Sequence, residues 1–556
     1  MSPNSTINAV DMSEKKSVDD RNHSCVQSSK SPADFETAVS ATGYGKFHIL
    51  LYLALIPASW ASSFDTGNIS LILPAAECDL QLKLIHKGIL NAVVYIGMVS
   101  SALVWGYLAD VKGRKSILIY GFLADGICNV LSGFSQNFGT LLFFKFLSGL
   151  IISGPYAGTM SYIAEFYGAK VRSRITLIIG FTVTTGCVVN SGLAWLVVPQ
   201  DWSIELWDGY FKYNSWRIFL SLCGVPTLFG VFLLSFFPES PKFLMSQGRK
   251  EEALKVFQQI YRINTGRPEK DYPINELADE FEVKNSTENS TGDTIVTHKK
   301  SFKSGLLQMK PIFFRPHIFR LSLILTLQFC SMLALNTIRL WQPQLFAILQ
   351  DFNPIDFNIT DHDPAFCEIL DAVTYQSAQS LQNMDLSGDI IEVVNCSKVV
   401  ISENMYIDST IVSIAAIVFL FVASMFVTLL GHKNLLYICY TVCISSLVTM
   451  TWSTSYMLTL VLTCLFVGIM MTTLNIVIGA TVLLFPTSLR TMAVSLVMMT
   501  GRSGSLIGNV VFPVLLEYGC IAPIMTIACF PLLGIILAFF IPNNKNKSDK
   551  NVESGS

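Results

Sequence analysis

About twelve apolar segments fill this chain, each long enough for a helix to cross the roughly 30 Å hydrocarbon core of a bilayer. They run roughly 47–74, 86–109, 115–135, 139–163, 174–198 and 215–237, then 318–349, 408–430, 434–453, 456–484, 491–516 and 521–541. Barrel strands would instead show short alternating segments of about ten residues. Of the 556 residues, 51% are hydrophobic and only 14% charged, against roughly 25% charged in soluble proteins. That excludes a disordered chain, a secreted disulfide scaffold and an ordinary soluble enzyme. The formal charge of −2 gives no reason to expect a nucleic-acid partner. The pattern predicts an all-α membrane protein with twelve transmembrane helices in two six-helix bundles, its partner being the lipid bilayer. The bundles span 46–237 and 318–542. A tail (1–45), a central loop (238–317) and a second tail (543–556) flank them, and a polar loop at 351–406 interrupts the second bundle.

Lys and Arg in short loops set orientation. Lys112, Arg114 and Lys115 follow the second segment, and Lys170, Arg172 and Arg174 follow the fourth. The loop Ser135 to Asn137 has none. Both termini and the central loop are therefore expected in the cytosol, in a plasma or intracellular vesicle membrane. The 351–406 loop falls on the opposite side, where Asn358 and Asn395 are glycosylation sequons. Cys367 and Cys396 in that loop either pair in an oxidising compartment or stay as two free thiols. The first 42 residues are Ser-rich with mixed charge and lack an early apolar run, unlike a signal peptide.

Two motifs mark the basic loops. Gly106-Tyr-Leu-Ala-Asp110-Val-Lys-Gly113-Arg114-Lys115 closes the second helix. Gly106 allows a close helix approach, Gly113 a tight turn, and Arg114 and Lys115 anchor at the headgroups. Glu165 with Arg172 and Arg174 flanks the next basic loop, giving either a charge network facing Asp110 and Arg114 or ordinary surface charge. Pro238-Glu239-Ser240-Pro241-Lys242-Phe243-Leu244 follows the sixth helix, and Glu251 to Tyr261 reads as a short amphipathic helix.

The first motif resembles the loop signature of the major facilitator superfamily, and the last resembles the P-E-S-P motif of its sugar-porter-like members. Leu73 to Leu80, Ala194 to Pro199, Ser215-Trp216-Arg217 and Phe485 to Arg490 add a similarity to the synaptic vesicle glycoprotein 2 branch. The resemblance implies the major facilitator fold, with a midplane cavity lined by the first, fourth, seventh and tenth helices and alternating access by rocking. It fixes no substrate. The turn Gly431-His432-Lys433-Asn434 departs from the signature that the superfamily usually repeats there, so the second latch reads as eroded.

Charges inside membrane helices are costly and face a cavity or a partner. Asp65, Lys145 and Arg339 lie on helices that the resemblance assigns to the cavity, and Asn68, Trp60, Trp195, Asn336, Trp341 and Asn475 join them as cavity candidates. Asp65 either carries a proton or binds solute, or it forms a structural pair with Lys145 or Arg339. Asp125 lies on a peripheral type of helix and reads as structural. Arg502 sits among Gly501, Ser503 and Gly504 and reads as a backbone hydrogen-bond donor at a close packing site. No Walker motif, metal-ligand cluster or catalytic triad is present, so neither an enzyme nor a cofactor is expected, and proton or other ion coupling stays open. The expectation is a transporter of a small organic solute (organic ion, zwitterion or sugar). The alternative is a non-transporting scaffold, receptor or vesicle-trafficking component that meets cytosolic proteins through its N-terminal tail.

Overall fold

The computed structural model describes residues 32–206, 211–278, 310–315, 317–353, 363–375, 403–485 and 487–541. Among these, eleven helical segments are long and apolar enough to cross a membrane. The first six are Lys46–Ala76, Leu84–Ala102, Arg114–Ser132, Phe138–Ala164, Ile178–Val197 and Ser215–Ser235. The next five are His317–Asp351, Glu403–Phe426, Leu429–Thr451, Tyr456–Val482 and Ile521–Ala538. A further helix, Thr487–Leu516, occupies the eleventh place and carries Arg490 and Arg502. These are counted below as the first to the twelfth span. The glycosylation sequons Asn358 and Asn395, and Cys396, lie outside the described residues.

Small residues set how closely the spans pack, because lipid gives apolar side chains little reason to leave it. The second and fourth spans meet glycine to backbone. A Cβ at Gly97 would stand 2.5 Å from Phe146 O, and one at Gly149 would stand 2.2 Å from Val94 O. Gly504 does the same where the eleventh span crosses the seventh, 2.5 Å from Phe329 O. The third span also packs on the fourth and sixth, the eighth and ninth span the same helical stretch that packs on the tenth and twelfth, and the second span meets the eleventh across the two bundles.

The two basic turns share one backbone shape. Gly113 has φ 96° and ψ 154°, and Gly431 has φ 76° and ψ 158°. Positive φ is accessible to glycine at little cost, which is why each stands at the turn between two helices. Two residues on, Lys115 Nζ donates to Ser235 O (3.0 Å) at the end of the sixth span. Lys433 Nζ donates to Phe539 O (2.6 Å), just past the twelfth. An ammonium at a helix C-terminus satisfies a free carbonyl and complements the helix dipole. The second turn, read from sequence as eroded, thus keeps the geometry of the first while losing its acid and arginine. Gly106 does not serve close packing: a Cβ there would meet nothing within 4 Å.

At the ends remote from these turns, Asp79 gathers the sixth span. Asp79 Oδ2 accepts from Trp216 Nε1 (2.8 Å), Arg217 Nη1 (3.1 Å) and Asn214 Nδ2 (2.5 Å). Arg217 Nε donates to Ser135 O (2.9 Å), so one guanidinium fastens the start of the sixth span to the end of the third. A hairpin, Ser203–Leu206 against Phe211–Asn214, joins the fifth span to the sixth. The Cys367–Cys396 pairing is not what forms. Cys367 is bonded to Cys520, at the turn before the twelfth span, with Cα atoms 5.2 Å apart. The short helical run that carries Cys367 is pinned there, since Phe366 N donates to Ser453 O (2.8 Å) and the Asp371 carboxylate accepts from Cys520 N. Cys78 is also disulfide-bonded.

A second compact unit contains residues 32–49, 165–170 and 240–278 of the described chain. Part of the expected tail is folded here: helix Phe35–Ala41 packs Phe35 against Phe257 of helix Lys250–Thr265 (6.1 Å between rings). That helix buries Ala253, Val256, Phe257, Ile260 and Tyr261 on one face. Tyr272 donates its hydroxyl to Ala38 O (2.7 Å), and burial pushes the phenol above its ordinary pKa. Asn264 Nδ2 caps Thr42 O and Gly43 O, while its Oδ1 accepts from Phe47 N.

Candidate functional site

A small polar cavity, partly open to solvent, lies between the two bundles. The first span lines it with Ser63, Gly67, Ser70 and Leu71, and the fifth with Thr184, Cys187, Asn190 and Ser191. From the second bundle come Arg339, Leu340, Gln342 and Pro343 of the seventh span, Ser409, Val412, Ser413 and Ala416 of the eighth, and Val467 and Met471 of the tenth. One polar contact crosses between the bundles here, and another lies within the second bundle. Ser191 and Ser413 hydroxyls meet at 3.4 Å across the bundles, and Gln342 Nε2 donates to Ser409 Oγ (3.2 Å). Its lining of hydroxyl, amide and guanidinium groups among apolar side chains suits a small polar solute.

Of the cavity candidates, only Arg339 is in this wall. The fourth span contributes no lining residue, because Lys145 turns to the third span instead. There a closed polar cluster forms. Asn129 Nδ2 donates to Asp65 Oδ1 (2.7 Å) and lies 3.4 Å from Asp125 Oδ2. Asn129 Oδ1 accepts from Lys145 Nζ (2.8 Å), and Ser148 Oγ donates to Asp125 Oδ1 (2.9 Å). Asp65, Asn129, Asp125 and Lys145 are each no more than 1% exposed. The Asp125 carboxyl lies beside that of Asp65. Asp125 is therefore a central member of the cluster rather than peripheral, and Asp65 reaches Lys145 through an amide rather than by a direct pair. Asn129 is the residue the sequence reading missed. Its signal was present, since it stands four residues after Asp125 and so on the same helix face.

The remaining candidates serve packing or face outward. Asn68 is fully buried beside Cys223. Trp60 donates Nε1 to Thr185 Oγ1 (3.1 Å), tying the first span to the fifth. Trp195 is 41% exposed at the end of the fifth span, which suits an interfacial anchor. Trp341 is fully buried with its ring 5.0 Å from Phe512. Asn336 Nδ2 donates to Ser505 Oγ (2.7 Å), joining the seventh and eleventh spans. Asn475 is exposed and bonds Met471 O of its own helix, one turn past the lining. Arg502 reaches a side chain, not backbone: Nη1 donates to Ser153 Oγ (3.1 Å) on the fourth span.

At the basic turns, the Asp110 side chain lies outside what the structure describes. Lys115 N donates to Glu239 Oε1 (2.9 Å), so the first motif is tied to the P-E-S-P segment. Within the small unit, Glu165 accepts from Ser240 Oγ of that same segment. Arg172 Nε donates to Ala164 O (3.1 Å), and Arg174 is exposed. Among the described residues no group of three or more His, Cys, Asp or Glu side chains is placed to hold a metal ion.

A two-bundle helical protein with a polar cavity between its halves invites comparison with known transporters. The model of the sugar (and other) transporter family matches residues 33–347, and that of the major facilitator superfamily matches residues 405–556. The chain belongs to the sugar (and other) transporter family. Within it, the chain is similar to synaptic vesicle glycoprotein 2B of Rattus norvegicus, 29% identical over 327 residues that make up 57% of this chain and 48% of the relative. It is 32% identical over 247 residues to synaptic vesicle glycoprotein 2A of Homo sapiens, covering 44% of this chain and 33% of that one. The chain thus matches less than half the length of these relatives. Among solved structures, the partially occluded inward-open xylose transporter XylE from E. coli matches with a TM-score of 0.60 at 14% identity, over 90% of this chain and all of that one. A D-xylose-proton symporter matches equally, with a TM-score of 0.60 over 90% and 99% of the two chains. These structural likenesses establish the major facilitator fold. This family member is an integral, multi-pass membrane protein.

Proposed function

We propose that this sugar-transporter-family protein carries a small organic solute across its membrane by alternating access. The observation that carries the reading is the cavity itself: both bundles line it, so rocking one against the other exposes the same residues to either side. The contact that crosses it, Ser191 with Ser413, is a single hydroxyl pair, weak enough to be exchanged for a solute. The basic-loop turns face the cytosol in this reading. Lys and Arg concentrate there, and the Cys367–Cys520 bridge suits an oxidising compartment on the other side.

Proton coupling through the closed cluster is part of the same proposal. Asp65 and Asp125 face one ammonium, Lys145, which leaves one negative charge uncompensated in a sealed site. A proton passing onto one of the two neighbouring carboxyls would balance that charge, and it is the coupling ion of this proposal. Uptake into proteoliposomes, driven by an inward proton gradient, tests both parts. Uptake that survives in Asp65→Asn and Asp125→Asn but no longer responds to the gradient supports coupling. Uptake whose gradient response is unchanged in both variants refutes it. The rival reading, a membrane protein that does not transport and serves vesicle trafficking, draws on the names of the relatives. It wins if the well-folded protein moves no solute in any gradient.

A further inference from the structure

Arg339 occupies an unusual position for a cation in a membrane protein. It lines the cavity, its Nε is sealed from solvent without a hydrogen-bond partner, and Nη1 donates to the Cys187 thiol, 3.4 Å away. The Tyr95 hydroxyl is its other neighbour. A second guanidinium, that of Arg502, lies near the same hydroxyl, held by Ser153 Oγ and standing 5.8 Å over the Tyr156 ring. Among the described residues no carboxylate faces either arginine. Of the buried acids in the spans, Asp65 and Asp125 are turned to Asn129 and Lys145, and Asp408 accepts from Gln350 and Tyr456. A buried guanidinium without a counter-ion is strongly disfavoured in a low-dielectric site, and an anion that arrives with the solute removes that cost.

We propose, resting on the transport reading, that the solute is a small organic anion whose carboxylate is bound by Arg339. A guanidinium offers parallel N–H donors that match a carboxylate in a bidentate fork. Nε, orphaned here, is one of those donors. Arg502 adds a second positive charge behind Tyr95. The rest of the solute meets hydroxyl and amide groups, chiefly Ser63, Ser70, Asn190 and Gln342, which suits a hydroxylated or amide-bearing body better than a purely hydrocarbon one. A neutral sugar leaves the guanidinium uncompensated, and an organic cation is repelled by it.

The test is thermal stabilisation of the full-length purified protein by lactate, succinate and benzoate, against xylose, tetraethylammonium and chloride. At least one carboxylate is expected to raise the melting temperature of the wild type. In Arg339→Gln its apparent affinity is expected to fall about 10–100-fold, the loss of one charge-assisted pair. Arg339→Lys, which keeps the charge but not the fork, recovers part of that affinity and serves where Arg339→Gln does not fold. The proposal is overturned if no carboxylate shifts the wild type, if chloride shifts it equally, or if the carboxylate effect survives in both variants. Uptake assays separate this from the parent reading. Xylose uptake insensitive to Arg339→Gln keeps transport and sinks the anion. Carboxylate binding without uptake keeps the anion and sinks transport.

Discussion

Gly149 offers the sharpest test of how these helices pack. An alanine there would place its Cβ 2.2 Å from Val94 O, whereas ordinary contact begins at 3.4 Å. The second and fourth spans must therefore part by 3.4 − 2.2 = 1.2 Å, or the backbone must bend by that amount. The neighbour is main chain, so no flexible side chain can give way. Overpacking of this kind costs about 1–3 kcal/mol. For a bundle of this size that corresponds to a fall in melting temperature of roughly 2–12 °C. Gly192 in the fifth span is the internal control, because a Cβ there meets nothing within 4 Å. Gly192→Ala loses only backbone freedom in the unfolded chain and gains about 0.5–1 kcal/mol. Both variants are compared by fluorescence-detected size-exclusion chromatography after heating. If Gly149→Ala melts within about 1 °C of Gly192→Ala, the glycine-to-backbone contact is not what holds these two spans together.

Three other outcomes follow from contacts described above. Asp79→Ala removes the common acceptor of Trp216, Arg217 and Asn214 and leaves Arg217 without its ion pair, so stability falls by about 1–3 kcal/mol in the same heating assay, and an unchanged melting curve would show the network to be idle. Cys367→Ser frees a thiol at Cys520, detected by maleimide labelling and peptide mass spectrometry; a new thiol at Cys396 instead would refute the pairing. Lys115→Met and Lys433→Met each withdraw one cap from a helix end and cost about 0.3–1 kcal/mol; a loss at Lys115 alone would mean that the second turn is not equivalent to the first.

How much of this was legible depends on the distance over which each signal acts. The spans are local and were read from apolar runs, the expected 408–430 and 434–453 included, which part at the non-helical Gly431. The cost of burying Asp65, Lys145 and Arg339 was also local, so all three were singled out. Which way each faces was not. Ser63 and Gly67 line the cavity while Asp65, between them on the helix, points to the third span, a distinction set by the neighbouring helices alone. Cys520 was not singled out because its partner lies 153 residues earlier and only the fold brings the two together. The backbone shape kept by the second turn was missed for a different reason. Residue identity was compared with a consensus, whereas the glycine and the lysine two positions later, Gly113 with Lys115 and Gly431 with Lys433, were the parts that shape the backbone.

That pair of turns has a mechanical consequence. Each is a bracket that clamps the third span to the sixth, or the ninth to the twelfth, at one end, with an ammonium as the bolt and a helix terminus as the plate. In the rocking motion proposed above, a bracketed pair would swing as one stiff arm. Bending is then driven away from these outer pairs and into the spans that carry the cavity, where serine, glycine and proline, at Ser63, Gly67 and Pro343, make the rods easiest to flex.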